Sequence, residues 1–119
     1  SENHLHGRHD LADTIARLQA FQGAGADVLY APGISTAADI RSVVTSVDRP
    51  VNVLALPSGP NVAALAGLGV RRISVGGAFA YAAIAGLVAA GRELIESGTL
   101  GFWERSAVGG AAARAAFTR

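Results

Sequence analysis

Three stretches decide the fold: Ala26-Asp27-Val28-Leu29-Tyr30-Ala31-Pro32-Gly33, Pro50-Val51-Asn52-Val53-Leu54-Ala55-Leu56 and Val70-Arg71-Arg72-Ile73-Ser74-Val75-Gly76-Gly77. Each is a short apolar run, punctuated by glycine or proline, that leads into a segment with helical spacing. The runs are nearly continuous in apolar residues rather than alternating. Strands covered on both faces read this way, as in parallel sheets flanked by helices. No Asn-Gly or Asp-Gly pair marks an antiparallel hairpin. The pattern predicts a parallel α/β sheet or barrel, with too few units to close a barrel. An open doubly wound sheet is the alternative. Against it, no G-x-G-x-x-G follows a strand: Gly23-Ala24-Gly25 precedes one, and Gly76-Gly77 lacks the third glycine.

The intervening segments carry their own start and stop signals. Asp10 to Gly23 reads as an amphipathic helix with Asp10 as N-cap and Asp13 in its first turn. Leu11, Ile15, Leu18 and Phe21 or Gln22 recur at helical spacing, and Gly23 and Gly25 stop it. Ser35 or Thr36 caps the next helix, about Ala37 to Val47, with Ile40, Val43, Val44 and Val47 as its inner stripe. Asn61 caps a short helix, about Val62 to Leu68, closed by Gly69. The strands are expected at Asp27 to Tyr30, Val51 to Leu56 and Arg72 to Val75. Gly76-Gly77 opens a long helix, about Ala78 to Ser97, ended by Gly98. The tail from Thr99 holds Phe102, Trp103 and an Ala-rich stretch, Gly110 to Phe117, that has the makings of one more helix.

The chain has 119 residues, half of them hydrophobic, which is enough for one domain with a substantial core. Charged residues make up 16%, below the usual quarter or so. That deficit predicts strands buried on both faces or a large interface. A net charge of +1 offers nothing to nucleic acid or an acidic membrane in bulk. All ten basic residues are arginine, a composition that fits GC-rich coding, and the lack of lysine excludes Schiff-base chemistry within the segment. The absence of cysteine excludes disulfides, thiolate nucleophiles and cysteine metal sites. The polar, histidine-bearing N-terminus does not read as a secretory signal. The longest apolar run, Ala78 to Ala90, is broken by glycine and reads as too short to span a bilayer. A soluble cytoplasmic protein is the default expectation.

Four ordered segments carry a family resemblance: Glu2-Asn3-His4-Leu5-His6-Gly7-Arg8, Ala24 to Gly33, Pro50 to Ala55, and Gly69 to Gly76. Together they resemble the isocitrate lyase / phosphoenolpyruvate mutase superfamily, and within it the carboxyvinyl-carboxyphosphonate phosphorylmutase-like, PEP mutase-like branch. The resemblance runs from Ser1 to about Gly101. It implies a (β/α)8 TIM barrel of which this chain is the C-terminal half, residues 1–101, from the end of the fifth strand through the eighth helix. Residues 102–119 are then a tail. It implies Mg2+-dependent lyase or mutase chemistry on a small oxo acid or phosphonate, at a C–C or P–C bond next to a carboxylate. The acidic metal ligands and the mobile gating loop belong to the first half of such a barrel. The family's substrate-holding arginine aligns just before Ser1. No metal ligand is therefore expected here, and the segment alone is expected to be inactive. Where lyase members carry a glutamate this chain has Pro32. Where they carry a polar residue, often asparagine, it has Leu54, with Asn52 two residues earlier on the same strand face. These departures leave the specific reaction open.

Active sites of such barrels sit at the C-terminal ends of the strands. The resemblance places Glu2, Asn3, Pro32, Asn52 or Leu54, and Gly76 there. Glu2 is the candidate catalytic carboxylate, for proton or hydrogen-bond work. Asn3, Asn52 and Gly76 are the candidate substrate-binding residues. Gly76-Gly77 could expose N–H groups to an anion at a helix start or simply make a tight turn. Asn52, inside an apolar strand, needs a hydrogen-bond partner if buried. His4 and His6 alternate with Leu5, so on a strand they would share a face and could bind a metal. On a loop they would be solvated. The expected partners are a small carboxylate or phosphonate, the N-terminal half of the barrel and a further copy of the chain, with the Ala-rich helix from Ala78 to Ala90 as the oligomer surface. The competing expectation is a non-catalytic half-barrel that pairs with another copy or with the missing half, because open sheet edges favour association.

Overall fold

The computed structural model describes residues 1–118 and divides into two compact units, Ser1–Gly76 and a second beginning at Gly77. In the first unit a 3-10 turn, His4–His6, precedes helix α1, Leu11–Gly23. Strand β1 (Leu29–Tyr30), helix α2 (Ala37–Thr45), strand β2 (Val51–Leu54), helix α3 (Val62–Gly67) and strand β3 (Arg72–Ser74) follow in alternation.

Helices α1, α2 and α3 each begin where a short polar side chain satisfies an otherwise unpaired N–H. The Asp10 carboxylate accepts from the Asp13 N–H at 2.9 Å, the Thr36 hydroxyl from the Asp39 N–H at 3.1 Å, and the Asn61 amide oxygen from the Ala64 N–H at 2.9 Å. Thr36, rather than Ser35, is the cap of α2. That helix stops at Thr45, short of the expected Val47. The hydroxyls of Thr45 and Ser46 donate back to the carbonyls of Arg41 and Ser42, satisfying the last turn without further helix.

The sheet has the order β1-β2-β3 with both pairs parallel. Leu29 lies opposite Val51 and Tyr30 opposite Asn52; Asn52 in turn faces Arg72, Val53 faces Ile73, and Leu54 faces Ser74. Parallel neighbours require crossovers, and α2 and α3 supply them. The strands are shorter than their apolar runs because pairing is short: β1 pairs only with Val51 and Asn52, and β2 continues along β3 to Leu54 opposite Ser74. The Leu29 N–H reaches back to the Pro50 carbonyl, and the Ala55 N–H makes the last bond, 2.8 Å to the Ser74 carbonyl.

Strand parity sorts the side chains. Leu29, Val51 and Val53 enter a core with Leu18 of α1, Ile40 and Val43 of α2 and Leu65 of α3. The opposite face carries Tyr30, Asn52, Leu54, Arg72 and Ser74, and there Val28 and Tyr30 remain 45% and 37% exposed. Helices therefore cover one face of this sheet, not both as the apolar runs suggested. The open face is the one that a (β/α)8 barrel turns inward, and the unit has the architecture of a partial barrel.

The second unit holds helix α4, Ala78–Arg92, which continues through a π-helical turn, Glu93–Ser97, to Gly98. Helix α5 spans Phe102–Phe117, well before the Ala-rich stretch at which a helix was anticipated. Glu93 explains the earlier start. Its carboxylate accepts from the Thr99 hydroxyl at 2.9 Å and from the Gly101 N–H, placing a negative charge at the first turn of α5, where the helix dipole favours it. The joined helix Ala78–Ser97 is 20 residues, and an 18-residue window within it has a mean hydropathy of 1.5, so by length and composition it could cross a bilayer. The apolar run Ala78 to Ala90 alone had suggested otherwise. No residue of α4 or α5 is buried.

Two substitutions check this packing. Leu18→Ala empties a fully buried site and is expected to destabilise the chain by about 2–5 kcal/mol, read from the denaturant midpoint. Gly33→Ala should lower the midpoint as well, because Gly33 has φ +94° and a Cβ there would lie 2.8 Å from the His4 Cβ. A midpoint unchanged by either substitution would contradict the described packing.

Candidate functional site

The C-terminal ends of β1, β2 and β3 point to one edge of the first unit, and Ser1–Asn3 joins them there. The Ser1 nitrogen donates to the Tyr30 carbonyl at 2.7 Å, which sets Ser1 beside the end of β1 as a further strand would be set. An open-sheet arrangement with this segment away from β1 is thereby excluded. The chain then coils at once: the Leu5 N–H bonds the Glu2 carbonyl at 3.0 Å and the Arg8 N–H bonds the Asn3 carbonyl at 2.9 Å.

Asn3 is buried, and both ends of its amide are hydrogen-bonded. Its Oδ1 accepts from the Ser1 hydroxyl at 3.0 Å and its Nδ2 donates to the Asp13 carboxylate. Asp13 also accepts from Arg17 Nε at 2.8 Å and lies 3.7 Å from Arg8. The Arg17 hydrogen bond is the main cause that holds the Asp13 carboxyl below its ordinary range, with the Arg17 charge, Asn3 and Arg8 adding to it against partial burial. Glu2 behaves differently. Its side chain is 69% exposed, with a carboxylate oxygen 3.7 Å from His6 Nε2. Glu2, Asn3, His6, Arg8 and Arg17 together line an open cleft.

The histidines do not occupy a strand, so the face that His4 and His6 would share on one does not form. His4 and His6 lie on the 3-10 turn, and the His4 ring sits edge-on to that of His9 at 5.4 Å. Among the described residues no three of His, Asp and Glu gather as a metal site.

Asn52 lies on the open sheet face, between Tyr30 and Arg72 in register, and is 2% exposed. Its Nδ2 donates to Ser74 Oγ at 3.1 Å. Ser74 had not been singled out from the sequence. The available signal was the one that marked Asn52, a polar residue within an apolar strand. Gly76 ends the third strand segment with φ +55°. A Cβ there would stand 3.7 Å from Leu54, an ordinary contact, so backbone conformation rather than space favours glycine. Pro32 is buried and Leu54 half-buried.

Parallel strands with crossover helices, one open sheet face and a polar cleft by the strand ends define a barrel-type α/β protein. Residues 1–95 match the phosphoenolpyruvate phosphomutase family, and the chain belongs to that family. Two solved structures from Burkholderia cenocepacia J2315 are similar to it. One, provisionally designated a lyase/mutase, shares 51% identity over 87% of this chain with a TM-score of 0.79. The other, provisionally designated a phosphonomutase, shares 38% identity over 76% with a TM-score of 0.67. The chain spans only 38% and 36% of their respective lengths. No curated protein matches it.

The Asp13 hub generates a pH prediction. A depressed folded pKa stabilises above the ordinary value of 3.8, and that contribution disappears as pH falls through the folded pKa. Asp13→Asn is therefore expected to melt lower than the parent chain at neutral pH, with the gap closing on acidification below about pH 4. Circular dichroism melts across that range check it. A gap that stays constant would show that the carboxylate is not the linked group.

Proposed function

We propose that this chain supplies the C-terminal half of a lyase or mutase barrel acting on a small oxo acid or phosphonate, at a C–C or P–C bond next to a carboxylate. The observation that carries this reading is the bond from Ser1 to Tyr30. It brings the Glu2-Asn3 segment to the strand-end rim of a chain belonging to the phosphoenolpyruvate phosphomutase family. In this reading Glu2, exposed at the cleft, is the carboxylate that takes or returns a proton. Asn3 is held rigid by Asp13 and forms the wall beside it. Asn52 and the Gly76 turn complete the substrate side.

The family's chemistry uses Mg2+, but the described residues do not fit a metal site. In this reading its ligands belong to the other half of the barrel, and no step here depends on it. The enzyme is cytoplasmic, its substrate partner is a small carboxylate or phosphonate, and α4, with Phe79, Tyr81 and Leu87 exposed, is the surface for a further copy or for the rest of the barrel.

The exposed open face and the unpaired edge of β3 favour a second reading, a half-barrel that associates without catalysing. One experiment separates the two. The chain is assayed with Mg2+ for lyase and mutase turnover, alone and after co-expression with the N-terminal part of the similar lyase/mutase. The expected result is no turnover alone, turnover in the complex, and a kcat about 10²–10⁴ lower with Glu2→Gln. Turnover by the chain alone at the rate of a whole barrel would sink the first reading. A well-formed complex without turnover would favour the second.

A further inference from the structure

The Asn52 side chain retains one unused hydrogen-bonding position. With Nδ2 donated to Ser74, its Oδ1 is buried and has no hydrogen-bond partner among the described residues. A buried acceptor without a donor bears its full desolvation penalty, and native structures normally fill such a position with protein, water or ligand.

We propose that Asn52 Oδ1 binds one O–H donor and that Ser74 is the residue that positions it. Ser74 Oγ holds the nitrogen end of the amide, so the oxygen end is presented to the guest. A carboxylate or ketone oxygen has no hydrogen to give and does not suit this position. The guest is therefore a water molecule or the hydroxyl of a small 2-hydroxy acid. The hydroxyl alternative extends the substrate class proposed above from oxo acids to their 2-hydroxy counterparts; the water alternative does not depend on that class.

Isotope-labelled full chain tests this by nuclear magnetic resonance. One arm looks for a cross-peak from bound water to the Asn52 side-chain amide protons without added ligand. The other titrates lactate, and in parallel propionate, which lacks the hydroxyl. A water cross-peak supports the site with water as guest. A shift of the Asn52 amide with lactate but not propionate supports it with a hydroxyl as guest. Absence of both, or equal shifts with lactate and propionate, overturns the proposal. Ser74→Ala is expected to abolish the supporting signal and Ser74→Thr to restore it. A signal that survives Ser74→Ala overturns the positioning role. Failure of turnover in the complemented enzyme leaves these signals untouched, so the two proposals fail separately.

Discussion

The parallel register of β1, β2 and β3 is the constraint on which the rest of the first unit depends. Leu29 opposite Val51 and Val53 opposite Ile73 put one row of apolar side chains under α1, α2 and α3. The same register puts Tyr30, Asn52 and Arg72 in one row of the opposite face, with Leu54 and Ser74 in the next. A slip of one residue would exchange these sets, burying Arg72 and exposing Val53. Core and candidate site are therefore fixed together. The hydrophobic contacts that choose the register also deliver Asn52 to Ser74.

Much of this was legible before any coordinates. The caps Asp10 and Asn61 were readable because a short acceptor ahead of an apolar periodic segment has one physical use. Strand existence and order followed from the apolar runs and the absence of hairpin turns. Strand length did not, because it depends on where the neighbouring strand stops bonding. The start of α5 was hidden for a similar reason: Glu93 reaches its first turn from another helical segment, and composition near Phe102 does not reveal it. The histidine spacing left two readings open because alternation matters only on a strand, and here the chain enters a 3-10 turn directly after Asn3.

The candidate site divides into a tight part and an open part. Asn3 is locked by Ser1 and Asp13, and Asp13 by Arg17. Such a network costs side-chain entropy and adds rigidity, which suits a residue that must hold a wall in place. Glu2, one residue earlier, has only a solvated pairing with His6. Exposed pairs of this kind contribute little to stability, so the carboxylate is free to engage something else. The family resemblance pointed to both residues, but only the structure shows that the asparagine is anchored and the glutamate is not.

The second unit imposes a further requirement. Its helices bury none of their own residues, although Phe79, Tyr81, Leu87 and Trp103 are large and apolar. Helices of this length draw most of their stability in water from packing an apolar face, not from propensity. The four glycines among Gly86, Gly91, Gly109 and Gly110 lower that propensity further. Contacts between the apolar faces of α4 and α5 and a covering surface would supply what propensity does not. The low share of charged residues has the same physical meaning, since a chain of this size that exposed all of its apolar helix surface would associate. The open sheet face and the bare helices thus share one feature: each leaves large apolar side chains exposed, Val28 and Tyr30 on the sheet and Phe79, Tyr81 and Leu87 on α4.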